Sequence, residues 1–421
     1  MPKFLTDSLY IRGENPIIFI GQGVKNASKV CLDHSSWDKG IARGKRPFVD
    51  SQNPSVMSLR LGTQSKENKP RLDKKNVDVL VKKYGEESVN EMFIASVTVG
   101  NGQCNWGETD KEKENFRISD VEEAPTVHGE LLILDENMNR LEQTSIKLLL
   151  DSKWGRMNKS NQKVLVELDD TRLFFYDGAI WLFYRNGKNL GYDKQAHSPL
   201  YLNRNEKGEI EAYIKASEMI PLCCGRNMSI LTSDKHDRLQ AITWIDPLTV
   251  EEFGPKKDIT EHQAVESKPG RNLRQQKSNV HGTNGFMAHL HSTNEYLGIA
   301  HFHRPEGRGK NPYARHGHHY THAFFAISDE KPYYLTRISN EFLFKSQSKQ
   351  VGFEDDGDII QFAGSIDLIG DDDITGELLI SYGINDCEGA TLTVDMDTVN
   401  TMLQSVPKNT EVITLMKKLE L

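Results

Sequence analysis

Residues 164–185 read VLVELDDTRLFFYDGAIWLFYR, and the fold is decided there. Two apolar runs, Arg172–Tyr176 and Ala179–Tyr184, flank Asp177-Gly178. An Asp-Gly pair between β-rich runs predicts a two-residue hairpin turn, because both residues tolerate positive φ. Glu167, Asp169 and Asp170 stand just before the first run, followed by Arg172. Three carboxylates and an arginine are more charge than a hairpin needs. They read either as a solvated strand end or as a carboxylate held by a rigid strand at a pocket edge, with Arg172 to orient it.

Outward from the hairpin the chain is a succession of short strands with turn residues between them. The pattern predicts strands at Met92–Val99, Glu130–Leu134, Glu209–Ile214, Met228–Leu231 and Leu239–Ile245. It predicts more at Phe286–His291, Tyr296–His301, Ala323–Ile327, Ile359–Ile369, Glu377–Tyr382 and Ala390–Asp395. Asn53-Pro54 should start a turn, with a strand after it. Residues 61–91 look inserted: Val77, Leu80, Val81 and Tyr84 have helical spacing, with Asp73 as cap and Gly85 as stop. Residues 397–421 should hold two short helices, one near Thr398–Gln404 and one from Thr410. Such a chain is all-β: a sandwich, a barrel or a propeller. No exact repeat chooses among them.

Composition excludes several classes. Lys+Arg 52 against Asp+Glu 60 gives a net charge of -8, which speaks against nucleic acid as partner. No apolar run approaches the length of a membrane span, and Ile17–Ile20 is too short for a signal sequence. Cys31, Cys104, Cys223, Cys224 and Cys387 are odd in number and scattered. That fits a reducing compartment, so a cytoplasmic location is expected and the sequons at Asn26, Asn158 and Asn227 are read as chance.

Asp169-Asp170-Thr171-Arg172, an apolar strand, Asp-Gly and an aromatic strand together resemble the Glu-Asp-Pro-Arg blade motif of five-bladed β-propeller glycosidases and phosphorylases, the β-mannoside phosphorylase family above all. Thr171 stands where the family has proline. Further matches are Asn53-Pro54-Ser55 with Arg60, Tyr296 to His301, Tyr320-Thr321-His322, and Ser381-Tyr382-Gly383 with Asp386 and Glu388. The resemblance spans roughly residues 50–405. It implies one five-bladed propeller over 1–421, with the 61–91 insert and the C-terminal helices as additions.

It also implies roles. Asp170 falls on the family's general acid, with Asp169 beside it to raise its pKa and Arg172 to fix it. Asn53, Arg60, Arg226, Asn227, His281, His301, Tyr320 and His322 would bind donor sugar and acceptor anion. Asp386 and Glu388 would hold hydroxyls or act as base toward water. The expected partner is an oligosaccharide or sugar phosphate, with inorganic phosphate as a further candidate and no cofactor. Ala323 and His281-Gly282-Thr283-Asn284 replace arginine-bearing positions of some relatives, which counts against phosphate.

Two other classes stay open. One is a glycan-binding or scaffold propeller without catalysis. The other is a histidine-metal enzyme, because nine of the 14 histidines fall between His281 and His322. His301-x-His303 and the run from His316 to His322 have spacings that suit zinc or nickel, yet no HExxH motif or cysteine pair completes a ligand set. No metal is therefore expected.

Overall fold

In a computed structural model, Asp169–Tyr176 and Ala179–Arg185 pair as one antiparallel hairpin, and the chain reverses with φ of 49° at Asp177 and 66° at Gly178. The structure describes residues 18–19, 49–61, 72–101, 128–150, 162–185, 195–222, 228–231, 239–245, 248–253, 263–265, 280–283, 285–304, 319–339, 342, 361–370, 372–384 and 388–406. Leu173, Phe174, Phe175, Ile180, Leu182 and Tyr184 are fully buried. Consecutive residues are covered, so both faces of the hairpin are packed, and that is why its strands read as unbroken apolar runs. His197 packs against both Phe174 and Trp181, where burial pushes its pKa down to about 3 and keeps the ring neutral.

The chain is mostly β-strand with few helices, and packing divides it into two compact units. The unit made of Ile20–Cys224 and Asn385–Ala390 carries two sheets. One has seven strands, in the order Tyr201–Arg204, Ile210–Lys215, Arg140–Leu150, His128–Leu134, Phe93–Asn101, Val49–Ser58, with Gln162–Leu165 added on Arg140–Leu150. Ile210–Lys215 lies parallel to Arg140–Leu150, and the other neighbours are antiparallel. The second sheet has four strands: Ile220–Leu222, Gln195–Pro199, Ala179–Arg185 and, at its edge, Asp169–Tyr176.

The other unit is Met1–Phe19, Gly225–Ile384 and Thr391–Leu421. Three sheets belong to it. Four strands run Ile18–Phe19, Glu388–Asp395, Glu377–Ile384, Gln361–Ile369, and four run Ser229–Leu231, Leu239–Ile245, Leu248–Phe253, Gln263–Val265. The six-stranded sheet follows Val280–Thr283, Glu295–Arg304, His319–Ser328, Leu335–Ile338 and Gln404–Ser405, with Ala288–Leu290 paired to Glu295–Arg304. Ile242 and Val250 of the second four-stranded sheet join Met287, Tyr296, Phe325 and Tyr333 of the six-stranded sheet and its loops in one buried core.

Three local expectations change. Asn53-Pro54 does not precede a strand but lies inside Val49–Ser58, which continues through it by a bulge. The insert is not one helix: a 3-10 turn, Lys74–Asn76, leads into Asp78–Tyr84, which ends at Gly85 (φ 87°) before Glu86–Glu91. Its buried residues are Leu61, Leu72, Val77, Val79, Leu80 and Val89, while Val81 and Tyr84 are half-buried, and Asp73 makes no side-chain cap. At the C-terminus the helix is Met396–Met402, and Gln404 pairs as a strand with Ile338. The helix expected from Thr410 lies outside the described residues. No helix among the described residues is long and apolar enough to cross a membrane.

The insert grips the hairpin tip. Asp73 N–H and the Asn76 amide both donate to Gly178 O, at 2.8 and 2.6 Å. A Cβ on Gly178 would sit 2.6 Å from the Asp73 carboxyl carbon. Gly178→Ala therefore meets a left-handed backbone and a crowded clasp at once, and should cost roughly 1–3 kcal/mol. The expected readout is a lower urea midpoint at unchanged slope.

Candidate functional site

Two strand irregularities build the site. In the hairpin, Asp169 pairs with Arg185 but Arg172 pairs with Phe183, so one extra residue is accommodated around Asp170. In the neighbouring sheet, Gln52 pairs with Thr98 and Ser55 with Ser96, leaving one extra residue around Asn53-Pro54. Asp170 and Asn53 take φ of 50° and 48°. Asp and Asn are the non-glycine residues that best tolerate this region, and proline at a bulge sacrifices no ladder donor.

The bulges bring the two side chains together. Asn53 Nδ2 donates to Asp170 Oδ1 at 3.5 Å. Arg172, only 2% exposed, donates from Nη1 to Asn53 O (3.2 Å) and Thr171 O (2.9 Å), while its Nη2 lies 3.6 Å from Asp170 Oδ1. Asp170 N–H donates to Asp169 Oδ1 at 2.8 Å. From the returning strand, Arg185 Nη1 lies 3.7 Å from Asp169 Oδ2 and 3.9 Å from Asp170 Oδ2. The two side-chain carboxylates are 25% and 13% exposed, so the cluster is largely withdrawn from water yet reachable. Two carboxylates and two guanidiniums sum to a formal charge of zero, the balance that makes such a half-buried cluster tolerable.

The edge strand is docked with side chains as well as backbone. Leu173 N–H donates to Ser55 Oγ (2.9 Å) and Thr171 N–H to Thr98 Oγ1 (3.3 Å). Thr171 thus uses an N–H that a proline at this position would lack, so its presence changes more than backbone preference. Gly129 permits the approach: a Cβ there would lie 3.0 Å from Thr171 Cγ2 and 3.5 Å from Leu168 Cβ.

The sequence-predicted residues therefore divide. Asp169, Asp170, Arg172 and Asn53 meet. Arg60 is half-buried just past the Val49–Ser58 strand, and its carbonyl accepts the Leu72 N–H at 2.6 Å. In the other unit, His301 and His322 face each other across paired strands, both buried. The His301 ring meets Phe362 edge-on at 5.0 Å, and His322 stacks on Phe342 at 6.0 Å. His281, Tyr320 and Glu388 are described only as strand backbone; Arg226, Asn227 and Asp386 lie outside the described residues. Among the described residues no group of three or more His, Cys, Asp or Glu is arranged to hold a metal ion. The His316 to His318 part of the histidine run lies outside them.

Sequence reasoning missed two features. Arg185 was one, though counting back from the Asp-Gly turn puts it opposite the carboxylates. The other is a chain in which His289 Nε2 meets Asp329 Oδ2 at 3.0 Å and its Nδ1 meets His291 Nε2 at 3.2 Å.

No family model matches the chain, and no curated protein does. Several solved structures resemble it. A β-1,2-mannobiose phosphorylase from Listeria innocua is 12% identical, with 84% of this chain and 92% of that one covered and a TM-score of 0.42. A glycosyl hydrolase from Bacteroides ovatus is 9% identical, with 86% and 88% covered and a TM-score of 0.45. A GDP-Man-dependent mannosyltransferase from Leishmania mexicana is 10% identical, with 82% and 86% covered and a TM-score of 0.38. With TM-scores below 0.5, these likenesses carry no argument about function.

Proposed function

We propose that the five sheets are the blades of one β-propeller and that the protein makes or breaks a glycosidic bond to a mannose-like sugar, with Asp170 as general acid. The observation that supports Asp170 in this role is its left-handed bulge, met by a second at Asn53 and bridged by Arg172, while the propeller and the mannose-like sugar follow from the motif resemblance. Bulges are enriched next to active sites, where they re-aim a side chain. A strand end that merely faced water would need neither bulge.

Asp170 delivers its proton to the glycosidic oxygen as the bond to the anomeric carbon breaks and its electron pair passes to that oxygen. The anomeric carbon is taken by water in hydrolysis or by a phosphate oxygen in phosphorolysis. In synthesis the steps reverse, and Asp170 accepts the acceptor hydroxyl's proton. Asn53 and Arg172 hold the carboxyl within the tolerance that proton transfer needs. Arg60, Arg226, Asn227, His281, His301, Tyr320 and His322 remain the proposed binding groups for sugar and anion. Asp386 and Glu388 are proposed to hold hydroxyls or to activate water.

The test is a screen of sugar 1-phosphates, mannose 1-phosphate first, against sugar acceptors with phosphate release as readout. A parallel screen offers β-mannosides with and without inorganic phosphate. Turnover that disappears in Asp170→Asn supports the reading; a purified, folded protein inert toward every pair would sink it.

A further inference from the structure

We infer that Gln195 is a ligand-binding residue of the same site: its side-chain oxygen accepts a hydrogen bond from one hydroxyl of the sugar. This inference rests on the reading of the site as one that acts on a glycoside.

Strand register brings Gln195 to the cluster. Asp169 pairs with Arg185, and Arg185 pairs in turn with Gln195. Residues directly opposite on neighbouring strands share a face of the sheet. The Asp169 and Arg185 side chains do approach each other, to 3.7 Å. The face is marked independently by Phe174, Trp181 and His197, whose ring centroids lie 6.0, 6.3 and 5.6 Å apart in pairs. Steps of two residues lead from Trp181 to Arg185 along one strand and from His197 to Gln195 along the next. This aromatic face therefore ends in a row of carboxylate, guanidinium and amide.

Gln195 is 2% exposed, and its Oε1 has no hydrogen-bond partner among the described residues. Gln240, also buried, shows the usual condition of such a side chain: its Oε1 accepts the Tyr333 hydroxyl at 2.5 Å. Nearly all buried polar atoms have at least one partner, and an exception calls for one that the protein does not supply. An amide oxygen takes only donors. Beside a candidate glycosidic centre the matching donor is a sugar hydroxyl. A hydrogen bond usually contributes little net, because each group gives up one to water. Gln195 Oε1 is withdrawn from water before the ligand arrives, so its bond is not offset on the protein side. Such an acceptor discriminates between a hydroxyl and a hydrogen at one ring position.

The mannoside that the screen turns over is compared with its monodeoxy analogues. In the unaltered protein, one deoxy position should lower kcat/KM by roughly 5- to 150-fold, the range for leaving one buried acceptor unpaired. Gln195→Met is close in shape. It should lower kcat/KM for the full mannoside by a similar factor and erase the preference at that position alone. Its urea midpoint should hold or rise, because an unpaired buried polar atom is removed. Gln195→Asn keeps the amide but draws it back by one methylene, and it should weaken the same preference even if the methionine variant does not fold. Unchanged preferences in the folded variants would overturn the proposal. So would a lowered urea midpoint in Gln195→Met with every preference intact, because that is what an amide bridged by internal water would show. If no mannoside is turned over, side-chain amide NMR of the full-length protein separates the two readings. The Gln195 signals, assigned by their loss in Gln195→Met, should shift on addition of mannose or a β-mannoside. A shift without turnover leaves the sugar contact standing while catalysis falls; no shift overturns the contact as well.

Discussion

Asp170→Asn is expected to lower glycosidic turnover by ~10²–10⁴-fold, the usual contribution of a positioned general acid. The fold should survive, because asparagine accepts the 50° φ of this position almost as readily as aspartate and can still take the Asn53 amide hydrogen bond. Asn keeps the shape and loses the proton. Asp169→Asn makes the informative companion. Its side-chain oxygen can still accept the Asp170 N–H, but its charge toward Arg185 is gone. A smaller loss of turnover is expected there. Full activity in Asp170→Asn with loss in Asp169→Asn would mean that the neighbours have exchanged roles. Full activity in both would move the chemistry elsewhere, with the histidines between His281 and His322 as next candidates.

Arg172→Met should cost roughly 3–5 kcal/mol of stability, the range seen when one partner of a buried charge pair is removed. The methionine stem fills much of the space left by the arginine stem. What it cannot do is donate to Asn53 O and Thr171 O or face Asp170. The remaining carboxylate keeps Arg185 at 3.9 Å, so the site is not stripped of positive charge. The hairpin nevertheless loses the Arg172 bridge to the bulge of the Val49–Ser58 strand. Urea denaturation measures this directly, and a shift under 1 kcal/mol would show that the bridge does not hold the bulges together. Against a typical total of about 5–15 kcal/mol, the expected loss is large enough to lower the yield of folded protein.

The hairpin was legible because its cause is local. Asp-Gly between apolar runs permits little else, and Tyr176 does pair with Ala179. Other strands bounded by clear turn residues, such as Glu377–Ile384, were legible for the same reason. Strands such as Arg140–Leu150 were not: LEQTSIKLLL is half-exposed along much of its length and lacks a clean alternation. The site was half legible. Asp170 and Arg172 stood out as excess charge. Arg185 did not, because its place depends on a register. Counting from the turn sets it opposite Asp170, and the bulge then moves it to Asp169. Bulges leave no reliable mark in sequence. Asn53 read as a turn for that reason, since Asn-Pro signals a left-handed step without saying whether a strand resumes. His301 and His322 lie on strands as expected, but their burial against Phe362 and Phe342 follows from which side of each strand packs.

The edge position of Asp169–Tyr176 has one more consequence. An outermost strand ordinarily presents a row of donors that can recruit a stranger's strand, which is how sheets grow into aggregates. Here Ser55 and Thr98 occupy two of those donors with hydroxyls. A hydroxyl satisfies one N–H and offers no continuing ladder, so it closes the edge where a backbone would extend it. Ser55 and Thr98 read as unremarkable polar positions. They close two donors of this edge, and exchanging either for a small apolar residue would leave a buried N–H without its acceptor on the strand that bears the candidate acid.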